Sequence, residues 1–427
     1  SWGRLVSLTE GIPSYDLTLS EERLGRNVPE MGIHEAVISG YHFVIKKGFY
    51  DGNITYLLTD TSTNGTYVNG ELVGKGNRIP IRTYDEISML SKKNKEAAVY
   101  YFEAFEDVER EKSEGGPQDK YEVTGFCGVG NFAIVVKVKD IETKATYAMK
   151  IIDLKKANTI STRPNAILDE CDILRRLDHP NIIRLHEVRQ TTRYLYMVLE
   201  LVTGGELFNQ IVAETHFSEN KCRVIMRQLF SALEYLHSQN IIHRDLKPEN
   251  ILCVAPDSDE IKITDFGLSR IINNDTLAKT MCGTPLYVAP EILGGKPYDG
   301  NKVDVWSAGV LLYVMACGFP PFEDGEEDKG NRKLFDNICH ANYSFRSPYW
   351  DNKSVELKDL IKHMLVVDLD KRYSVEECIN HPFMRNTTLG SRMMSEENFD
   401  HLKRTATEAE LPDPSSKRTI KQMKSTN

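Results

Sequence analysis

The order of apolar and polar positions divides this 427-residue chain into stretches of different period. Up to about residue 107, short apolar runs such as Tyr56-Leu57-Leu58, Thr66-Tyr67-Val68 and Ala98-Val99-Tyr100-Tyr101-Phe102 alternate with the turn pairs Asp51-Gly52, Asn64-Gly65 and Asn69-Gly70. Branched and aromatic runs of this length between such turns predict an all-β sandwich of short antiparallel strands. From Glu109 to Pro117 the chain is charged and then Gly/Pro-rich with no apolar period, so 108–119 is expected as an interdomain linker. Strand-like runs return from Tyr121, and Ile167, Ile173, Leu174 and Leu177 fall at helical spacing around Glu170. Leu195–Val202 and Ile261–Thr264 again read as strands. The longest apolar run, Val305–Phe319, is shorter than the roughly eighteen residues of a membrane span and is interrupted by Ser307 and Gly309. It predicts a core helix. After Phe383 the apolar period is lost to Ser, Thr and charge, which predicts a mostly disordered tail over 385–427.

Composition narrows the class. Hydrophobic residues at 41% and charged residues at 27% describe a soluble globular protein, and the length suggests two or three domains. A net charge of −9 gives no basic bias towards nucleic acid or an anionic membrane, so neither is expected as a direct partner. The eight cysteines are scattered, without a C-x-x-C pair, and read as reduced intracellular thiols. No secretory signal opens the chain, so the Asn-x-Thr matches at Asn53 and Asn64 are not read as glycosylation sites. The first residue is Ser1, which implies natural sequence ahead of it.

Three polar clusters in the β-rich part fall in loops: Gly25-Arg26, Ser39-Gly40-Tyr41-His42 and Thr63-Asn64-Gly65-Thr66. Their chemistry suits a phosphate. Arg26 can fork onto its oxygens, Ser39 and Thr63 can donate hydroxyl hydrogen bonds, and Asn64 can hold the adjoining peptide backbone. His42 reads as a buried brace. In this order the clusters resemble the forkhead-associated domain, whose loops bind phosphothreonine peptides. One position departs from many members, which carry Lys or Arg directly after the serine where this chain has Gly40.

The stretch Ile242-His243-Arg244-Asp245-Leu246-Lys247-Pro248-Glu249-Asn250 sets an acid, a cation and an amide in one short loop. Phosphoryl transfer needs a carboxylate to orient the attacking hydroxyl, a cation near the moving group and an oxygen ligand for Mg²⁺. Asp245, Lys247 and Asn250 supply these, and the stretch resembles the catalytic loop of eukaryotic protein kinases. That resemblance, in a bilobal α+β fold over 120–384, extends through the chain. Gly128, Gly130 and Val135 correspond to the glycine-rich loop over ATP phosphates, with Ala133 in place of its third glycine. Ala148 and Lys150 correspond to the strand whose lysine holds the phosphates, with Glu170 its helical partner. Glu200 and Val202 form the hinge that meets adenine after the gatekeeper Leu199, and Glu206 reaches the ribose or a basic substrate residue. The resemblance further implies Asp265, in Asp265-Phe266-Gly267, as the principal Mg²⁺ ligand, a structural pair of Glu291 with Arg372, and Asp304 as the residue that orients the catalytic loop. By the same resemblance Glu206 and Glu249 are expected to meet arginine upstream of the acceptor, and Thr280 first, with Thr284 second, is expected to be phosphorylated in the activation segment, with Arg244 as the partner of the phosphate.

The succession of the two domains resembles the checkpoint kinase 2 family. It implies an ATP- and Mg²⁺-dependent Ser/Thr kinase acting in DNA-damage or meiotic checkpoints, recruited by phosphothreonine proteins and phosphorylated in trans through a transient homodimer. The alternative is a phosphopeptide-binding scaffold whose kinase fold is mainly structural. The family's Ser-Gln and Thr-Gln cluster is not found in these residues, where the only Ser-Gln is Ser238-Gln239 in a predicted helix, so either the cluster lies in sequence ahead of Ser1 or the protein is switched on differently. The basic Lys417–Lys424 stretch suggests nuclear import, and the chain is otherwise expected in the cytoplasm.

Overall fold

The structure, a computed structural model, describes residues 1–50, 53–129, 133–155, 157, 171–172, 174–265, 286–294, 300–323 and 332–385. Of the tail expected over 385–427, Arg385 closes the last described helix and 386–427 lie outside the described residues. Two compact units emerge, one of 1–159 with 185–201 and one of 160–184 with 202–427.

The first unit opens with the expected sandwich. One sheet has the order β2 (Tyr15–Leu17), β1 (Gly3–Ser7), β10 (Ala98–Ala104), β9 (Glu86–Met89), β6 (Thr66–Val68), β7 (Glu71–Leu72). The other runs β3 (Glu21–Leu24), β4 (Phe43–Tyr50), β5 (Asn53–Asp60), β8 (Arg78–Ile81). Alternation along the strands sends Leu5, Leu24, Phe43, Ile45, Leu58, Ile87, Met89, Tyr100 and Phe102 into one fully enclosed core. Asn69 and Gly70, at φ 53° and 83°, form the tight hairpin between β6 and β7 that Asn-Gly predicts.

Residues 108–119 differ from the expected linker. Helix α1 (Phe105–Ser113) runs into a 3-10 turn over Pro117–Asp119. An apolar stripe was the wrong signal to seek, because the anchors are polar. The fully buried Glu111 carboxylate accepts from Thr191 Oγ1 at 2.5 Å and Tyr196 Oη at 3.0 Å, and Glu114 accepts from the Thr192 backbone N–H at 2.6 Å.

A five-stranded antiparallel sheet follows, in the order β11 (Tyr121–Val129), β12 (Ala133–Asp140), β13 (Thr146–Asp153), β15 (Tyr194–Glu200), β14 (Leu185–Gln190). Residues directly opposite each other share a face, so register separates its two surfaces. One carries Val136, Val138, Met149, Ile151, Tyr196 and Val198, packed in a single core with Tyr84 and Tyr101 of the sandwich. The other carries Val135, Ala148, Lys150 and Leu199.

The second unit is mainly helical: α2 (Leu207–Glu214), α3 (Glu219–Ser238), α4 (Pro290–Leu293), α5 (Gly300–Cys317), α6 (Arg332–Cys339), α7 (Val355–Met364), α8 (Val375–Ile379) and α9 (Pro382–Arg385), with the hairpin β16 (Ile251–Cys253) and β17 (Ile261–Ile263). The run from Val305 lies in α5, buried from Val303 to Cys317, as a helix apolar all round must be. Among the described residues, no helix is long and apolar enough to cross a membrane. The seven described cysteines are free.

Candidate functional site

The four loop residues expected to read a phosphate meet around the segment Val37–Ser39. Arg26 donates its backbone N–H to Ser39 O and its Nε–H to Ile38 O, each at 3.1 Å, which leaves the two terminal amino groups of its exposed guanidinium as donors for an anion. Ser39 Oγ accepts from the Thr63 N–H at 3.0 Å, so its own proton remains to be donated. Asn64 Nδ2 donates to Val37 O at 2.7 Å, leaving its Oδ1 as acceptor. Arg26, Ser39, Thr63 and Asn64 thus come together as expected.

His42 is the brace that the sequence suggested. Its Nδ1 accepts from the Ser39 N–H at 3.1 Å, which fixes the proton on Nε2, and Nε2 donates to Gly65 O at 3.0 Å. Burial lowers its pKa and keeps it neutral. Asp60, missed by sequence reasoning, holds the same loop by accepting from the Ser62 N–H and Thr66 Oγ1, each at 2.8 Å. Burial pushes its carboxyl up, and these bonds outweigh that and leave it below the usual range. A carboxylate at a strand end before Thr61-Ser62-Thr63 was the available signal. Gly25 has no alternative, since a Cβ there would stand 2.6 Å from Ser39 O. At Gly40 the space a Cβ would take is filled by the Asn27 side-chain amide, with Nδ2 at 2.5 Å.

On the sheet of the first unit, Lys150 lies opposite Val135 and Met197, and Ala148 opposite Leu199. Lys150 is only 9% exposed, a cation held on a largely apolar face. Gly128 pairs with Val135 beside a break in register between β11 and β12, and Glu200 closes β15. Gly130, Glu170, Thr280 and Thr284 lie outside the described residues.

In the second unit the catalytic-loop backbone is gripped by Asp304 of α5, which is fully buried. Its Oδ2 accepts from the His243 N–H at 2.9 Å and His237 Nε2 at 2.8 Å, and its Oδ1 from the Arg244 N–H at 2.9 Å. Arg244 stands at φ 67° and Asp265 at φ 58°, left-handed backbone that needs such support. Asn250 Nδ2 donates to Asp245 O at 2.7 Å and Asp245 Oδ2 at 2.9 Å, while Lys247 Nζ lies 3.3 Å from the same Oδ2. With both amide hydrogens committed to oxygens, Asn250 keeps Oδ1 as an acceptor. The pairing of Ile251 with Ile263, and the Thr264 N–H bond to Asn250 O at 3.0 Å, bring Asp265 beside this loop.

Glu206 bridges to Leu252, and Glu249 lies in the 3-10 turn Pro248–Asn250. Burial raises the Glu249 pKa, and the Glu206 and Asp245 carboxylates add to it. Its Oε2 is buried with no hydrogen-bond partner among the described residues, a carboxylate oxygen still lacking a donor. Arg372 and Glu291 form the expected buried pair, two-pronged at 2.7 and 2.9 Å, with the guanidinium 4.9 Å from the Trp306 ring centre.

Asp359, His363 and His381 also bring possible ligand atoms within 4.8 Å of one another. The His381 proton is already placed. His381 Nδ1 accepts from the Phe383 N–H at 3.2 Å, so its Nε2 carries a proton and donates to Asp359 Oδ2 at 3.0 Å. With no lone pair left on that nitrogen, the group is a clasp between α7 and α9.

The family profile described as protein kinase domain matches residues 121–384, and that of the FHA domain matches 22–89. The probable serine/threonine-protein kinase fhkC of Dictyostelium discoideum is 44% identical over 391 residues, 90% of this chain and 65% of that protein. The probable serine/threonine-protein kinase fhkE of the same organism is 40% identical over 407 residues, 93% of this chain and 56% of that protein. This chain therefore spans between about half and two thirds of the length of these two relatives. The crystal structure of Rad53 1–466 in complex with AMP-PNP matches with a TM-score of 0.54 and 31% identity, over 90% of this chain and 99% of that one.

Proposed function

This chain belongs to the serine/threonine protein kinases that carry an FHA domain, the checkpoint kinase 2 type, and on that premise we propose that it phosphorylates serine or threonine in proteins to which phosphothreonine directs it. The observation that carries the chemistry is the arrangement of Asp245, Asn250 and Lys247, with the loop backbone held by buried Asp304. The donor set fits ATP with Mg²⁺: Asn250 Oδ1 and the exposed Asp265 carboxylate are hard oxygens on adjoining segments, and Lys150 is a strand-borne cation. When bound, ATP supplies the phosphoryl group and Mg²⁺ neutralises its charge. Asp245 orients the substrate hydroxyl and takes its proton, Lys247 lies against the Asp245 carboxylate, and Lys150 holds the nucleotide phosphates. Wild type incubated with labelled ATP, Mg²⁺ and a basic peptide is expected to incorporate phosphate. Asp265→Asn is expected to lose incorporation with a melting curve near that of wild type, because asparagine shares the tolerance of aspartate for the left-handed backbone at φ 58°. Incorporation at the wild-type rate in this variant would overturn the metal assignment.

The Glu249 carboxylate, buried near Glu206, suits an arginine. We assign it to the residue three places before the acceptor, giving an Arg-x-x-Ser/Thr preference. A peptide array should show that preference in wild type and its loss in Glu249→Gln. Because burial raises the Glu249 pKa, the preference should fade on acidification at a higher pH than an exposed glutamate would give. An array with no gain from arginine, or a preference unmoved in Glu249→Gln, contradicts the assignment.

Likeness to the checkpoint kinase 2 type supports a role in DNA-damage or meiotic checkpoints, and the basic stretch 417–424 supports nuclear import. Thr280 phosphorylation that does not rise after DNA damage or on entry to meiosis would contradict the first. Unchanged nuclear accumulation after replacing Lys417, Arg418, Lys421 and Lys424 by alanine would contradict the second.

A further inference from the structure

Strand β9 is buried at every position and is flanked by two bulky residues in left-handed backbone, Tyr84 at φ 76° and Leu90 at φ 77°. Neither side chain favours that conformation, so the surroundings impose it. At one end the Leu90 N–H donates to Gly65 O at 3.0 Å, the carbonyl that also accepts from His42 Nε2, directly after Thr63 and Asn64. Two residues on, Lys92 pairs with the buried Glu86 carboxylate at 2.8 Å and sets its ammonium 4.7 Å from the ring centre of Phe126, on β11 two residues before Gly128.

The other end reaches the remaining nucleotide strands. Gln118 Nε2 donates to Tyr84 Oη at 2.9 Å and reaches Tyr196 Oη at 3.1 Å, on the strand that ends at Glu200. Arg82 pairs with Asp153 at 3.0 Å, at the end of the strand that carries Lys150. One buried strand therefore has the phosphothreonine loop at one end and, through its flanking residues, contacts to β11, β13 and β15.

We infer that occupancy of the phosphothreonine loops and occupancy of the nucleotide strands are coupled through β9 and its flanks, each raising affinity for the other. The inference rests on the reading of both sites given above. A peptide lying across Thr63 and Asn64 holds the Gly65 carbonyl, which seats Leu90 and steadies Lys92 over Phe126. The glycine-rich strand then loses less freedom when it closes on phosphates. Linkage makes the effect reciprocal.

Calorimetric titration of the full chain tests this, with a non-hydrolysable ATP analogue and Mg²⁺ titrated in the presence and absence of a saturating phosphothreonine peptide, and the reverse. Wild type should show at least about a fivefold gain in affinity in both directions. Phe126→Leu keeps the apolar volume and removes the ring face, so each ligand should still bind alone while the gain falls towards onefold. Lys92→Arg should retain the gain, and Lys92→Met should lose it. Equal nucleotide affinity with and without peptide in wild type overturns the coupling while leaving the reading of the loops intact, as does an undiminished gain in Phe126→Leu. Absence of peptide binding removes the reading of the loops, and the coupling with it.

Discussion

Asp245→Asn will lower phosphoryl transfer by about 10²–10⁴-fold, the range for loss of a positioned general base, and will leave the melting temperature near that of wild type. The geometry makes the two outcomes separable. Asp245 keeps its backbone carbonyl bond to Asn250 Nδ2 in the variant, and the loop is held chiefly by Asp304 accepting from His243 and Arg244. The buried His243 adds a second tie from Nε2 to Thr264 O at 3.1 Å, and burial lowers its pKa so that it stays neutral. What the amide cannot do is accept the hydroxyl proton. The measurement is kcat on an arginine-containing peptide beside a thermal melt. A loss of activity matched by a loss of stability would give Asp245 a structural part, and unchanged kcat would remove it from the chemistry.

The largest stability effect is expected at Arg372. Its guanidinium is fully buried, donates Nε–H to Val366 O at 2.8 Å and Nη1–H to Lys302 O at 2.9 Å, and forks onto Glu291. Arg372→Ala leaves the Glu291 carboxylate in that interior without its cation, a change that costs about 3–5 kcal/mol when a buried pair is broken. Denaturant unfolding followed on the helical unit should show the shift. The double variant Arg372→Met with Glu291→Leu should recover much of it, because it removes the stranded charge and refills the volume. A single variant within about 1 kcal/mol of wild type, the scale of an exposed pair, would contradict this account.

What the sequence revealed follows from how local each device is. The Asp245, Lys247 and Asn250 constellation is legible because its members are neighbours in sequence, and the buried helix α5 because a long apolar run has one comfortable fate. Asn69-Gly70 declared its hairpin for the same reason. The proposed phosphothreonine site was half legible: Arg26, Ser39, Thr63 and Asn64 have readable side chains, but the hub that gathers them is the segment Val37–Ser39, whose backbone leaves no mark in composition. The seat of the sandwich on the five-stranded sheet was not legible. Tyr84 and Tyr101 look like ordinary sandwich core, and their partners Tyr194 and Tyr196 lie far along the chain. Glu111 was read as linker charge because its value comes from burial beside Thr191 and Tyr196, which no local pattern announces.

The central claim, a kinase whose activation is directed by phosphothreonine, is tested most directly by following Thr280 phosphorylation over time at several protein concentrations, with and without a scaffold carrying several phosphothreonines. On the proposed reading, a phosphate on Thr280 adds nearly two charges to the activation segment and pairs with Arg244, next to Asp245. Two copies on one scaffold meet at a raised effective concentration. The account predicts a rate that rises with protein concentration, a marked gain from the scaffold in wild type, and loss of that gain in Arg26→Ala, whose peptide-kinase activity is normal once Thr280 is phosphorylated. A rate independent of concentration, and equal in wild type and Arg26→Ala with scaffold present, would contradict it.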